Sequence, residues 1–340
     1  MSKIKCILVG VGGRGIWTVK RSAAHPEISA VAMVDRNEEF LRKASEINGL
    51  PESSWYSSLE EALDKVDCDA VMICTPTVTH APFSELAFSR GKHVMVEKAM
   101  THDYQDAEDL VRKAESAGVC FCVAQNYSWM RHNETVRQIL SDPAHPHHPG
   151  EVAMVDIYSY RFRPEPRTMT YPWAMVWDMT CHHADMLLYW FSADIEVLSA
   201  QSFNPTWSLY PYDSNITATL RIGESIRCNY LLYHSSTLSE TRIIIQGDKG
   251  VLEITNQREL AFHPRPAKQL QVAAPVKCEL PESISLDGVN EILQSFCDQI
   301  LHGGSSRISG RNNLRILAVC RDIIDAASRS SVSLELTATA

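Results

Sequence analysis

The sequence lacks several features that would place it in a specialised class of protein. Ten cysteines are scattered along its 340 residues, but none forms a C-x-x-C pair, so neither a zinc motif nor a redox motif is indicated. No apolar run approaches the roughly 20 residues that a membrane-spanning helix needs. No run of lysine and arginine interrupts the formal net charge of -9, which disfavours nucleic acid as a partner. Because the N-terminus shows no secretory pattern, we expect a cytoplasmic protein.

The composition that remains is that of an ordinary globular chain. Hydrophobic residues make up 45% and charged residues 21%, and the length suits two domains better than one. In the first part, apolar strands alternate with amphipathic helices, and we predict strands at 4–9, 30–35, 70–75, 93–97 and 119–124. This order is typical of a doubly wound parallel sheet. We therefore predict an α/β fold with a Rossmann domain at residues 1–125.

The second part, residues 126–340, has a different pattern. It follows a loop rich in proline and histidine near 143–149, where a solvated loop is favoured over a metal site because no carboxylate or cysteine stands at ligand spacing. Alternating strands are expected at 152–160, 195–203, 215–222, 226–234, 241–246 and 250–254, with helices at 178–191, 289–301 and 310–328. We predict an α+β domain with a mostly antiparallel open sheet that binds substrate and mediates self-association.

A glycine-rich motif follows the first predicted strand. It reads Gly10-Val11-Gly12-Gly13-Arg14-Gly15 and opens a helix, which is the context that a dinucleotide-binding G-x-G-x-x-G motif requires. Its glycines permit a tight turn and let backbone N–H groups approach a pyrophosphate at the helix N-terminus. We predict a dinucleotide site here.

Asp35 ends the second predicted strand, about 20 residues beyond the glycines, where a carboxylate would accept hydrogen bonds from the adenosine ribose. The same carboxylate repels the 2'-phosphate of NADP, although Arg36 beside it could compensate or lie on the adenine. We expect NAD as the cofactor rather than NADP, and no metal.

Together with these motifs, three further segments resemble a known family along essentially the whole chain. They are Thr75-Pro76-Thr77-Val78-Thr79-His80, Glu97-Lys98, and the run from Asp178 to His182. The sequence is similar to the glucose-fructose oxidoreductase, inositol dehydrogenase and rhizopine-catabolism (Gfo/Idh/MocA) oxidoreductases.

The resemblance implies a role for each matching residue. Thr75, Pro76 and His80 would border the dinucleotide, Glu97 would hold the nicotinamide ribose, and Lys98 would lie beside the reacting carbon. His182 would be the acid or base. Asp178 would be a substrate ligand. The family usually continues Glu-Lys-Pro where this chain has Ala99, which removes a rigid turn after Lys98.

On the predicted helix that begins at Asp178, the residues Asp178, His182 and Asp185 fall at i, i+4 and i+7 and would share one polar face. His183 would point about 100° away and is interpreted as a packing or surface residue. Nearby aromatic residues would suit a sugar ring but are equally typical of a core. They are Tyr127, Tyr171, Trp173 and Trp177. Arg161, Arg163 and Arg167 would either bind a substrate carboxylate or phosphate or lie at a solvated strand end.

We interpret the chain as an NAD-dependent dehydrogenase that acts on a secondary hydroxyl of a sugar, cyclitol or related polyol. His182 would be the base and Lys98 would polarise the oxygen, although the reverse assignment is open. Two alternatives remain: a glycosidase that retains NAD and uses it without net redox change, and a dinucleotide-binding sensor without catalysis. A homodimer or homotetramer is expected.

Overall fold

The computed structural model of the protein describes residues 3–162, 171–266 and 273–338, with the side chains of 330–338 excepted. The chain divides into two compact units, the first made of residues 1–126 and 289–315 and the second of residues 127–288 and 316–340. The first break lies one residue beyond the predicted boundary between residues 125 and 126. Residues 289–315, which we assigned to the second domain, instead cluster with the first unit.

The first unit contains a six-stranded sheet in the order β3-β2-β1-β4-β5-β6, with every neighbouring pair parallel. This is the strand order of a Rossmann fold, as predicted. Its strands are β1 (Ile4–Val9), β2 (Ile28–Val34), β3 (Trp55–Tyr56), β4 (Ala70–Ile73), β5 (His93–Val96) and β6 (Phe121–Val123). The two-residue β3 was not predicted, because a strand that short carries no periodic pattern.

Some helices of this unit begin at a residue whose polar side chain caps them. The Asn37 side chain accepts a hydrogen bond from the backbone N–H of Glu39 at 2.9 Å, and the Asp103 side chain accepts one from Asp106 at 3.0 Å. Each satisfies a backbone N–H that has no partner within the helix. The helices are α1 (Ile16–Ala24), α2 (Glu38–Asn48), α3 (Leu59–Lys65), α4 (His80–Ser89), α5 (Tyr104–Ser116) and, from the later segment, α8 (Val289–His302).

The second unit is built on an eight-stranded sheet in the order β14-β13-β12-β11-β7-β10-β9-β8, antiparallel except for the β7–β10 pair. Its strands are β7 (Val152–Phe162), β8 (Ile195–Phe203), β9 (Asn215–Ile222), β10 (Ile226–Tyr233), β11 (Ser235–Gly247), β12 (Gly250–Thr255), β13 (Glu259–Pro264) and β14 (Val276–Lys277). The remaining helices are α6 (Arg131–Ser141), α7 (Cys181–Phe191) and α9 (Gly310–Ala338). The mostly antiparallel sheet confirms the prediction, while β13 and β14 were not predicted.

One face of this sheet is buried. Ile216, Leu220 and Leu232 are at most 2% exposed, and Tyr230 on the same face joins the sheet to α7. The Tyr230 hydroxyl lies 3.0 Å from Oγ1 of Thr180 and 2.9 Å from Nδ1 of His183. The period-2 pattern of β9 and β10 thus identified the face that carries the core of the unit.

The helix that contains the candidate base is irregular at its start, where the sequence predicted regular α-helix from Asp178. Residues Val176–Thr180 form a π-helical turn, and the α-helix proper starts at Cys181. Asp178 therefore lies in the wider turn, and the predicted i, i+4 relation between Asp178 and His182 does not follow ordinary α-helical geometry.

Within the part of the chain that the structure describes, no helix is both long enough and apolar enough to cross a membrane. The cytoplasmic location stays a prediction.

The buried His183 gives a first prediction, which concerns stability against acid. Burial, with smaller contributions from Arg161 and His234, lowers the pKa of His183 to about 3, whereas an unfolded histidine titrates near 6.5. Between these values the unfolded chain binds the extra proton, so stability is intact above about pH 6.5 and falls as the pH decreases. His183→Asn keeps an acceptor for Tyr230 but removes this titration. We expect its free energy of unfolding to fall less steeply than that of the wild type, by about 1.4 kcal/mol per pH unit between pH 6 and 4.

Urea titrations at several pH values measure these slopes. His302→Asn, at an exposed position at the end of α8, is the matched control and should keep the wild-type slope. Equal slopes for His183→Asn and the wild type would contradict the prediction.

Candidate functional site

The glycine loop follows β1 and fits its surroundings only without side chains. Gly10 has a φ of +77°, and a Cβ atom there would lie 2.4 Å from the carbonyl oxygen of Cys74. A Cβ atom on Gly15 would lie 1.8 Å from the carbonyl oxygen of Gly10. Both positions therefore require glycine, as the motif predicts.

Asp35 at the end of β2 organises the same loop. Its Oδ2 accepts a hydrogen bond from the backbone N–H of Val11 at 3.0 Å, and its Oδ1 accepts one from Asn37 at 2.9 Å. The carboxylate thus fixes the glycine loop, in addition to the ribose role expected from the sequence.

The loop residues line one open cavity of about 630 Å³. Its lining includes most of the predicted cofactor residues, namely Gly10, Gly12, Gly13, Asp35, Arg36, Thr75 and Pro76. Strands β1, β2 and β4 all end here, and ligands of open parallel sheets bind at the carboxyl ends of the strands.

The residues around this cavity fit a dinucleotide. Gly12 lies so close to α2 that a Cβ atom there would be 2.0 Å from the Phe40 ring, whereas Gly13, with a φ of +49°, faces open space. Backbone that a ligand can approach closely, at a helix N-terminus and beside a carboxylate, suits the pyrophosphate and ribose of NAD. The glycine loop would hold the pyrophosphate and Asp35 the adenosine ribose.

Glu97 and Lys98 follow β5 directly. Glu97 is 6% exposed, and its Oε1 lies 2.6 Å from Nε of Arg14. Because Arg14 belongs to the glycine loop, this ion pair fixes Glu97 beside that loop. Lys98 is half-buried at the carboxyl end of the parallel sheet, and the peptide bond to Ala99 is cis.

His80 has a different position from the other predicted cofactor residues. Its ring is 1% exposed, with Nε2 2.9 Å from the carbonyl oxygen of Thr75 and Nδ1 2.9 Å from that of Ala99. Burial lowers the pKa of His80, which favours the neutral ring. The side chain joins the Thr75 loop to the segment after Lys98, so it positions both rather than lining the cavity.

In the second unit, His182 is 4% exposed and stacks on Tyr127, with ring centroids 3.8 Å apart at an angle of 14°. This stacking fixes the plane of the candidate base. Asp178 is half-buried. Asp185, which the sequence placed on the same polar face, is buried and accepts a hydrogen bond from the backbone N–H of Ser128 at 2.9 Å. Asp185 therefore positions the segment that carries Tyr127.

Sequence reasoning missed the contact between His183 and Tyr230. His183 is 1% exposed and packs against the sheet, in agreement with its interpretation as a packing residue. Tyr230 lies 47 positions away along the chain, and its only sequence signal is its place on the apolar face of β10. Of the three arginines, Arg161 lies next to this group, while Arg163 and Arg167 fall outside the described residues.

Metal ligands were not expected. The histidines near 143–149 take part in local turns, since Nδ1 of His145 and of His148 accept hydrogen bonds from the backbone N–H groups of His147 and Gly150. One group, formed by His25, Glu27 and Cys297, brings possible ligand atoms within 4.8 Å of one another. Oε2 of Glu27 also accepts a hydrogen bond from Gln294. The absence of a bound metal stays a prediction.

Comparison with known proteins agrees with this site. Residues 4–125 match the family of oxidoreductases with an NAD-binding Rossmann fold that is named GFO_IDH_MocA, and residues 147–253 match the GFO/IDH/MocA C-terminal domain. The chain is 32% identical over 127 residues to a dTDP-3,4-didehydro-2,6-dideoxy-alpha-D-glucose 3-reductase from Streptomyces antibioticus, a match that spans 37% of each chain. It is 26% identical to D-apiose dehydrogenase from Paraburkholderia graminis over 85% of this chain and 78% of that one.

A similar fold occurs in an oxidoreductase from Agrobacterium radiobacter that was crystallised with NAD+, L-tartaric acid and magnesium. The two structures superpose with a TM-score of 0.81 at 19% identity and cover 97% of each chain. Since the family matches take in most of both units and the glycine loop forms the expected pocket, the chain belongs to the Gfo/Idh/MocA family of NAD-binding oxidoreductases.

Proposed function

We propose that the chain is an NAD-dependent dehydrogenase that transfers hydride between a secondary hydroxyl of a sugar, cyclitol or related polyol and the nicotinamide. The observation that carries the proposal is the cavity of the first unit, where the glycine loop, Asp35 and Thr75 meet at the carboxyl ends of parallel strands. The sugar-directed names of the D-apiose dehydrogenase and of the Streptomyces reductase support the substrate class.

The chain supplies binding, orientation and proton transfer. When bound, NAD supplies the hydride acceptor. Glu97, held by Arg14, would bind the nicotinamide ribose. His182, with its ring plane fixed by Tyr127, would take the hydroxyl proton, because histidine is the side chain that most often serves as a general base. Lys98 would stabilise the oxygen, and Asp178 would bind the substrate.

The test is a panel of sugars, inositols and their acids scored by the absorbance of reduced nicotinamide. With the best substrate, Lys98→Ala and His182→Ala should each lower kcat by about 10² to 10⁴, the usual loss when a positioned proton-transfer group is removed. The double variant should lose less than the product of the single losses, because both residues serve one transition state. The dissociation constant for NAD should change little in all three variants.

Lys113→Ala and His302→Ala, at surface positions on α5 and α8, are matched controls and should keep the wild-type kcat. Full kcat in His182→Ala would leave Lys98 as the sole base. Cleavage of glycosides with no net formation of reduced nicotinamide would favour the glycosidase. NAD binding without turnover of any substrate would favour the sensor.

We also propose a preference for NAD over NADP, on the charge of Asp35 in the cofactor cavity. Asp35→Asn keeps an acceptor for the glycine loop and removes the charge, so it should narrow the preference without unfolding the loop. Fluorescence titration with both dinucleotides measures the ratio of dissociation constants. Tighter binding of NADP than of NAD by tenfold in the wild type, a difference of about 1.4 kcal/mol, would overturn the proposal.

We further propose self-association into a homodimer or homotetramer through the second face of the large sheet. Tyr160, Tyr233 and Phe203 form a chain of ring contacts there, with centroids 5.8 and 5.7 Å apart, and Phe203 is 43% exposed. Exposed aromatic clusters of this kind mark interaction surfaces. Light scattering at micromolar concentration should give a multiple of the 38.1 kDa chain mass, and Phe203→Glu should lower it. A monomer mass for the wild type would rule the proposal out.

A further inference from the structure

Arg161 lies near the end of β7, on the buried face of the large sheet. Side chains two residues apart on a strand share a face, and Ile157 and Ser159, which precede Arg161 at that spacing, are fully buried. The arginine therefore projects toward the same side as Tyr230 and α7. Arg161 itself is half-buried and lines an open cavity, so its guanidinium stays accessible to a ligand.

The guanidinium is placed among the candidate substrate groups of this unit. Its Nη2 lies 3.5 Å from the Tyr127 hydroxyl, and the Tyr127 ring stacks on His182. After burial itself, the charge of Arg161 is the next cause that lowers the pKa of His183. Arg161, Tyr127, His182 and His183 thus form one group within the second unit.

Arg161 has no anionic partner in the parts of the chain that the structure describes. Its Nε is buried and makes no hydrogen bond, and its contact with Tyr127 is to a neutral hydroxyl. Arg161 lines an open cavity of about 590 Å³ in this unit. Two carboxylates, Glu240 and Glu259, line it too, but neither pairs with Arg161 within the described residues. The cavity leaves room for a ligand at the guanidinium.

From this arrangement we propose that Arg161 binds a carboxylate of the substrate, so that the enzyme acts on a sugar acid, such as a uronate or aldonate, in preference to the parent sugar. The proposal rests on the proposed dehydrogenase activity and names its substrate class. Two N–H groups of one guanidinium match the two oxygens of a carboxylate. The single positive charge of Arg161 matches the single negative charge of a carboxylate.

The experiment compares acids with neutral partners of the same stereochemistry: D-glucuronate with D-glucose, D-galacturonate with D-galactose, and D-gluconate with D-sorbitol. In the wild type, kcat/KM should be at least tenfold higher for the acid of the productive pair. Arg161→Gln should lower that value by about 10- to 100-fold, as expected for a lost charged hydrogen-bonded pair, and should barely change it for the neutral partner. The kcat/KM of Arg161→Lys for the acid should lie between the values of the wild type and of Arg161→Gln, because lysine keeps the positive charge but cannot donate two parallel hydrogen bonds to a carboxylate.

Arg227→Gln, an exposed arginine on β10 that does not line this cavity, is the matched control and should keep the preference for the acid. Melting temperatures and the dissociation constant for NAD show whether each variant is folded, and Arg161→Lys keeps the test decisive if Arg161→Gln does not fold. Equal losses for acid and neutral sugars, a wild type that prefers neutral sugars, or a preference for sugar phosphates would each overturn the proposal.

A binding measurement separates this inference from the dehydrogenase proposal. Saturation-transfer NMR detects D-glucuronate and D-galacturonate on the protein without turnover. If these acids bind in an Arg161-dependent way while no substrate of the panel reduces NAD, the carboxylate subsite stands and the proposed activity fails. If neutral sugars reduce NAD regardless of Arg161, the activity stands and the carboxylate subsite is wrong.

Discussion

Parallel strands joined by crossover helices all end at the same edge of their sheet, and the cofactor cavity of this protein depends on that constraint. β1 ends at the glycine loop, β2 at Asp35, β4 at Thr75 and β5 at Glu97. These segments are far apart in sequence, yet the right-handed crossover leaves their carboxyl ends side by side. The polar backbone groups at the strand ends are then available to a ligand.

Close packing between backbone segments and buried polar contacts hold the loops at this edge of the sheet in place. Gly10 and Gly15 come too near neighbouring carbonyl groups to carry side chains. Asp35 holds the glycine loop through the N–H of Val11, and His80 joins the carbonyl groups of Thr75 and Ala99. His80 therefore fixes the segment after Lys98, in which Ala99 occupies the position where the family usually has a proline.

The second unit places its polar chemistry inside a largely apolar layer. Thr180 and His183 satisfy the buried hydroxyl of Tyr230, and Tyr127 stacks on His182. Low polarity makes such contacts directional and makes an unpaired charge expensive. Arg161 is the charged member of this group and contacts the Tyr127 hydroxyl, so a ligand carboxylate would complement it.

Both sheets and the cofactor pocket can be predicted from the sequence alone, because backbone conformation and side-chain periodicity depend on short segments of the chain. The glycine motif, the run of buried strands and the alternation in β9 and β10 predicted the Rossmann sheet, the antiparallel sheet and the cofactor pocket. The sequence did not predict short strands such as β3 and β14, because two residues define no period. It did not predict the π turn at Asp178 either, because a helical turn that is wider by one residue leaves no pattern in the sequence.

The tertiary structure decided what depends on contacts between distant residues. It placed residues 289–315 with the first unit, made His80 a bridge between two loops, and brought Arg161 to Tyr127 across 34 positions of sequence. Residue types and spacing indicate what a side chain can do. Only packing determines which partner it meets, because contacts over long sequence separations are set by how whole strands and helices are arranged.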